Sequence, residues 1–297
     1  MSRSYYGRPV VKAHVWKWYV PAYFWVGGMA GAAAVQCACA RLRGEDDLAT
    51  VEQRAALAGV LVAPMLLIAD LGVPHRFLHM LRVFKVTSPM SVGSWILSAF
   101  GVAIGGATAA ELLGWNRTSR AFEFAAAGIG PALTVYTAVL VSDTATPVWH
   151  EAYETLPFVF VSSGIAAAGA VGTVFAPGHE QISARRLMIG GALALVVSGQ
   201  IMERRLGTFI SEPYRSGKAG LLRRVAGALA LGGAGLALAR GTSTFATRLA
   251  AACISAAGII ERFAVTTAGT QSASDPKYVV EPQRARLDAR ASAPPPT

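Results

Sequence analysis

Runs of about 20 apolar residues alternate with short polar segments along most of the chain. That run length is what an α-helix needs to cross a bilayer's hydrocarbon core. Trp18 to Ala40 carries no charge and predicts the first span. The second centres on Ala55 to Ala69. The third lies within Val92 to Ala110, the fourth within Phe124 to Ser142, and the fifth covers Thr155 to Ala176. Three weaker spans follow at Leu187 to Met202, Val225 to Ala239 and roughly Gly241 to Ile260. Arg248 in the last can snorkel to the interface. The pattern predicts an all-α, polytopic membrane protein of about eight transmembrane helices, arranged as two four-helix bundles. Residues 1–17 read as a polar N-terminal segment, 18–266 as the transmembrane domain and 267–297 as a disordered polar tail ending in Ala-Pro-Pro-Pro-Thr. No clear cleavage site follows the first apolar run, so it reads as a retained helix rather than a signal peptide.

Composition narrows the function class. Hydrophobic residues make up 53% of the 297 and charged residues 15%, against roughly a quarter charged in soluble domains. A disordered chain, a collagen and a disulfide scaffold are excluded, and the long uncharged apolar runs argue against a soluble enzyme. The net charge of +10 comes from basic residues between apolar runs. It points to lipid headgroups and a partner protein rather than nucleic acid. With eight spans, 18 of the 27 Lys and Arg fall on the side of the termini, or 14 against 9 without the tail. Both termini are therefore expected in the cytoplasm of a cell-membrane protein.

Polar, aromatic and titratable residues of the first five helices gather at that same face. His14, Trp18 and Tyr23 open span one, and Asp70 closes span two. Arg76 and His79 lie in the following loop, Tyr136 and Asp143 at the end of span four, and His150 before span five. Ionisable groups at membrane depth are costly and default to a functional reading. Asp70 and Asp143 are the strongest cases, because each ends an otherwise apolar helix. His75 and His79, four apart, share one helix face, but no third ligand accompanies them. The three cysteines, Cys37, Cys39 and Cys253, cannot by themselves ligate zinc or an iron–sulfur cluster. None of the five histidines lies in mid-span, which argues against a bis-histidine haem.

Residues 70–95 read DLGVPHRFLHMLRVFKVTSPMSVGSW. The stretch resembles the NrfD/polysulfide reductase membrane-subunit family, whose members show DLGxPxRF followed by SPMSxGSW. WYVPAYFWVGGMAG at 18–31 is similar to that family's first helix, and YTAVLVSDTATPVW at 136–149 to its fourth. The resemblance covers roughly residues 14–165. It implies a subunit without a haem, iron–sulfur cluster or metal of its own. Such a subunit anchors a ferredoxin-like iron–sulfur protein and, beyond it, a molybdopterin catalytic subunit. It also binds a membrane quinone, here expected to be menaquinone, near the docking face. In the family a polar residue of helix one and a Tyr of helix four approach the quinone head, and the matching places hold Tyr23 and, within a residue, Tyr136. Some relatives have His and Asn in helix one, where this chain has Tyr23 and Val20.

Quinone reduction takes two electrons and two protons, so its site needs an apolar slot, hydrogen-bond donors and titratable groups joined to water. On this reading Tyr23 and Tyr136 donate to the carbonyls and Trp18 stacks on the ring. Asp70, His79 and Asp143 relay protons, and Arg76 holds Asp70 ionised or positions an acidic partner. The chain itself would not act on the soluble substrate. Two rivals stand beside this reading. One is a passive anchor without quinone turnover. The other is a proton- or ion-translocating subunit, which would want carboxylates at mid-membrane. Asp and Glu read as absent from the span centres, leaving Glu123 as the far-side carboxylate to test.

Overall fold

The computed structural model describes residues 9–14, 16–71, 73–239 and 243–291, leaving aside the side chains of Pro74, Arg76, Leu78 and residues 289–291. Eight of its helices are long and apolar enough to cross a membrane. They are α1 (Tyr19–Arg43), α2 (Asp46–Asp70), α3 (Pro89–Leu112), α4 (Asn116–Ser142), α6 (Leu156–Phe175), α7 (Glu180–Ile210), α9 (Gly217–Leu238) and α10 (Thr244–Ser274). Short helices α5 (Pro147–His150) and α8 (Glu212–Arg215) lie between spans, and α11 (Lys277–Ala291) follows the last. A 3-10 helix, Pro74–Leu81, links α2 to α3. The chain is an integral, multi-pass membrane protein.

Punctuation residues set the helix ends. Gly44 closes α1 in the left-handed conformation, its N–H bonding to the carbonyls of Ala40 and Arg41. Pro89 opens α3 at a position whose N–H would be unpaired in any case. Ser88 caps that helix by accepting from the Ser91 N–H at 3.4 Å. Gly207, at φ 71°, kinks α7 three residues before its end.

In the first half α1 packs against α2 and α4, and α3 against the same two. In the second half α6 packs against α7 and α10, and α9 against the same two. The halves meet where α6 lies on α1, α2 and α4, and where α10 touches α1. α1 and α6 are accordingly the most interior spans, with 72% and 67% of their apolar windows buried. Small residues permit that closeness. A Cβ on Gly31 would overlap the Gly130 carbonyl, and one on Gly130 the Gly31 carbonyl. A Cβ on Gly164 would come 2.8 Å from the Gly28 carbonyl.

Two expectations from the apolar pattern are corrected. The last span does not stop near Ile260, because α10 continues to Ser274. The segment from residue 267, expected to lack structure, is helical in α10 and again in α11 as far as Ala291. Residues 292–297 lie outside the described residues.

The longer helices also put carboxylates where none was expected. Glu52 and Glu261 are fully buried within α2 and α10, and Arg262 beside Glu261 is fully buried too. Partners make this tolerable for Glu261, which accepts from Arg223 Nη1 at 2.7 Å while Arg223 Nε donates to Glu203 at 3.0 Å. Arg262 lies 3.5 Å above the Phe160 ring and donates to the Phe160 carbonyl at 2.9 Å. A hydropathy pattern ends where charge begins, but here Glu261 and Arg262 are met by groups from other helices.

Candidate functional site

A cleft of about 360 Å3 opens at the terminal face of the first half. α1 supplies Val20, Tyr23 and Phe24, and the residue before it, Trp16, closes one side. The end of α2 supplies Leu67 and Asp70, the 3-10 helix Met80, the start of α3 Met90 and Ser94, and α4 Tyr136 and Leu140. The lining is apolar apart from two phenols, one serine and one carboxylate at the rim.

The sequence around residue 90 builds this cleft directly. Ser91 Oγ accepts from the Lys85 N–H at 3.1 Å and donates to the Val83 carbonyl at 3.0 Å, which ties the loop before α3 to its first turn. Gly93 faces α4, and any Cβ there would overlap the Tyr136 ring. The glycine of the SPMSVGSW stretch therefore seats Tyr136, and the next residue, Ser94, lines the cleft.

Tyr23 and Tyr136 meet edge to face with ring centroids 6.4 Å apart. The Tyr23 hydroxyl is buried and has no hydrogen-bond partner among the described residues. An unpaired buried hydroxyl costs about 1–3 kcal/mol, so it is a donor open to a ligand. Asp70 stands exposed at the last residue of α2, in contact with both water and the cleft.

The structure brings Tyr23, Asp70 and Tyr136 together and separates the other residues singled out from the sequence. Trp18 is 61% exposed and packs on Tyr19, outside the cleft. Trp16 takes the place beside the cleft, stacked on Trp149 with centroids 5.1 Å apart and planes within 14°. The cause is that α1 begins only at Tyr19, so the non-helical residues before it fold inward onto α5. Trp149 is anchored by donating to the Val265 carbonyl of α10 at 2.8 Å. His79 is exposed against His75, with ring centroids 6.2 Å apart, while its neighbour Met80 lines the cleft. Asp143 lines a different opening of about 500 Å3 with Val11, His150, Glu151, Tyr278 and Arg286. Arg76 has its backbone in the 3-10 helix, and its side chain lies outside the described residues.

Sequence reasoning gave no role to Trp16, Ser94, Met80, Met90 or Leu140. Trp16 lies two residues before Trp18 in the aromatic stretch that opens span one, and Ser94 lies in the SPMSVGSW stretch. The two methionines and Leu140 look like any apolar residue at a helix end.

Between the two clefts His14 contacts Trp16 and Trp149, at 4.9 and 5.5 Å between centroids, and its Nδ1 lies 3.4 Å from Thr146 Oγ1. Burial holds this imidazole below the usual histidine range. Among the described residues no three His, Cys, Asp or Glu are grouped to hold a metal ion.

A family model, NrfD_2, described as polysulfide reductase, matches residues 2–275. No curated protein matches the chain.

Proposed function

The chain belongs to the NrfD_2 polysulfide reductase family, and we propose that it is the quinone-reactive membrane subunit of a multi-subunit reductase. In this reading a membrane quinone enters the cleft between α1, α2, α3 and α4. Phe24, Leu67 and Leu140 hold its apolar parts. Tyr23 and Tyr136 donate to the carbonyl oxygens, which gain charge as electrons arrive. Two electrons and two protons convert quinone to quinol, and Asp70 passes protons between water and the cleft. The observation that carries the proposal is the buried Tyr23 hydroxyl, left without a partner in an apolar cleft beside a second phenol and a carboxylate.

Electrons would come from, or go to, an iron–sulfur subunit docked on the terminal face. That face displays exposed Arg82, Lys85, Arg204, Lys218 and Arg224, which suit an acidic partner. The same charges support placing both termini in the cytoplasm, which a reporter fused after Thr297 tests.

The experiment is Tyr136→Phe in the assembled complex. Losing one donor should lower quinol turnover roughly tenfold, with unchanged assembly. Unchanged turnover removes the assignment. Wild-type complex that co-purifies with its iron–sulfur partner but never turns over quinone favours a passive anchor.

A further inference from the structure

At the face opposite the termini, Glu52 lies six residues into α2, about 9 Å below its start. It is fully buried, the backbone of Gly172 on α6 lies against its carboxyl, Cys37 of α1 is near enough to interact with it electrostatically, and neither carboxyl oxygen has a hydrogen-bond partner among the described residues. A Cβ at Gly172 would come 2.6 Å from Oε1, so the glycine makes the space the carboxyl occupies. The charged groups around it are engaged elsewhere. Arg41 donates to Glu123 at 3.0 Å through both Nε and Nη2, and to Asp46 at 2.7 Å. Glu180 accepts from the Leu48 N–H at 2.6 Å, and Glu111 accepts from Gln53 at 3.0 Å. Among the described residues no cation pairs with Glu52. An unpaired carboxylate in such a place would cost many kcal/mol, whereas the neutral acid would not.

α6 serves as a ruler between this carboxyl and the buried charges of the second half. Gly172 marks Glu52, and Phe160 marks Arg262. Twelve helical residues separate them, about 18 Å along the axis of α6. Polar side chains lie between. Gln36 donates to the Ile165 carbonyl at 3.1 Å and leaves its own oxygen unpartnered, and Ser163 bonds the Phe160 carbonyl at 3.1 Å. Arg262 keeps two nitrogens without partners, and Glu261 keeps one oxygen. From Glu261 the ion pairs with Arg223 and Glu203 lead to Arg215, which is half exposed at the terminal face. Buried polar atoms of this kind are ordinarily met by ordered water.

We propose that Glu52 is the far-side proton-binding carboxyl of a path that carries protons through the protein along α6 to the Glu261–Arg223–Glu203 cluster. Only an O–H bond is exchanged at each station, so the path needs no redox partner of its own. Its labelling test is independent of the quinone reading, and only its turnover test rests on that reading.

The first test treats the complex in native membranes with dicyclohexylcarbodiimide, which adds to a buried, protonated carboxyl to give a stable N-acylurea. Peptide mass spectrometry should find the adduct on Glu52 and lose it in Glu52→Gln. A complex unmodified at Glu52 overturns the proposal. The second test places the complex in proteoliposomes with an internal pH dye. Glu52→Gln should cut proton movement per quinone roughly 10²-fold, with quinone turnover retained, and Glu52→Asp should restore part of it. Proton movement equal to wild type in Glu52→Gln overturns the proposal. If wild-type complex turns over no quinone, the quinone reading fails and the labelling alone decides this one.

Discussion

The terminal-face cleft of the first half and the Arg223 cluster of the second treat buried polarity differently. In α1–α4 the polar groups at the terminal face are few, lie around an open cleft, and include a phenol with nothing to bond. In α6–α10 the deep Arg223 joins Glu203 to Glu261, while the buried Tyr214 hydroxyl and two nitrogens of Arg262 keep no partner among the described residues. A paired charge inside a membrane protein holds helices in register, while an unpaired buried donor in the wall of a cleft is free to meet a ligand. Depth and charge alone therefore do not mark a site; an unpartnered group that also lines a cleft, as Tyr23 does, is the better guide.

The largest effect that would break this contrast is expected at Arg223. Arg223→Ala leaves Glu261 and Glu203 without their cation and should destabilise the protein by about 3–5 kcal/mol. The measurement is thermal unfolding of the purified complex in detergent. A melting temperature equal to wild type would mean that the cluster does not organise the second half.

A smaller effect is expected at Gly93, where the prediction concerns the cleft. Gly93→Val forces the Tyr136 ring from its seat and should cost about 1–3 kcal/mol from overpacking. Quinol turnover should fall further than in Tyr136→Phe, because ring and hydroxyl are both displaced. Turnover at the wild-type level would show that Tyr136 does not need that seat.

The smallest effect belongs to His14, between the two clefts. Its folded-state pKa lies below the usual 6.5 because of burial. The unfolded chain therefore binds more protons in the window just under that value, and stability falls as pH drops through it. The stack of Trp16 on Trp149 should loosen as the pH falls below about 6.5, read as a change in tryptophan emission. In His14→Gln the change should be flattened, and an identical pH profile in that variant would assign the effect to another group.

Much of the architecture was legible in the sequence. Eight apolar runs became eight membrane-crossing helices because each is long enough to span, and its backbone can be satisfied only within a helix. What misled was the end of the last run. Glu261 and Arg262 look like a helix leaving the membrane, yet α10 continues past them because Arg223 and the Phe160 ring, distant in sequence, meet them. Glu52 is hidden in the sequence for the related reason that it follows Asp46 and Asp47 and reads as part of a polar loop. The candidate site was partly legible. Tyr23, Asp70 and Tyr136 stood out by type and position. Trp18 and Trp16 could not be told apart, since they differ only in where α1 begins.

The amino-acid sequence by itself determined the number of crossings, the face on which aromatic and titratable residues gather, and the family. Those follow from local hydrophobicity and from a motif read in one stretch of chain. Tertiary structure alone decided which of those residues share a cleft, which charges are paired, and that the fully buried Glu52 carboxyl has no hydrogen-bond partner among the described residues. Pairing and burial depend on contacts between helices far apart in the chain, such as Arg41 with Glu123 and Arg223 with Glu261, and no local pattern encodes them.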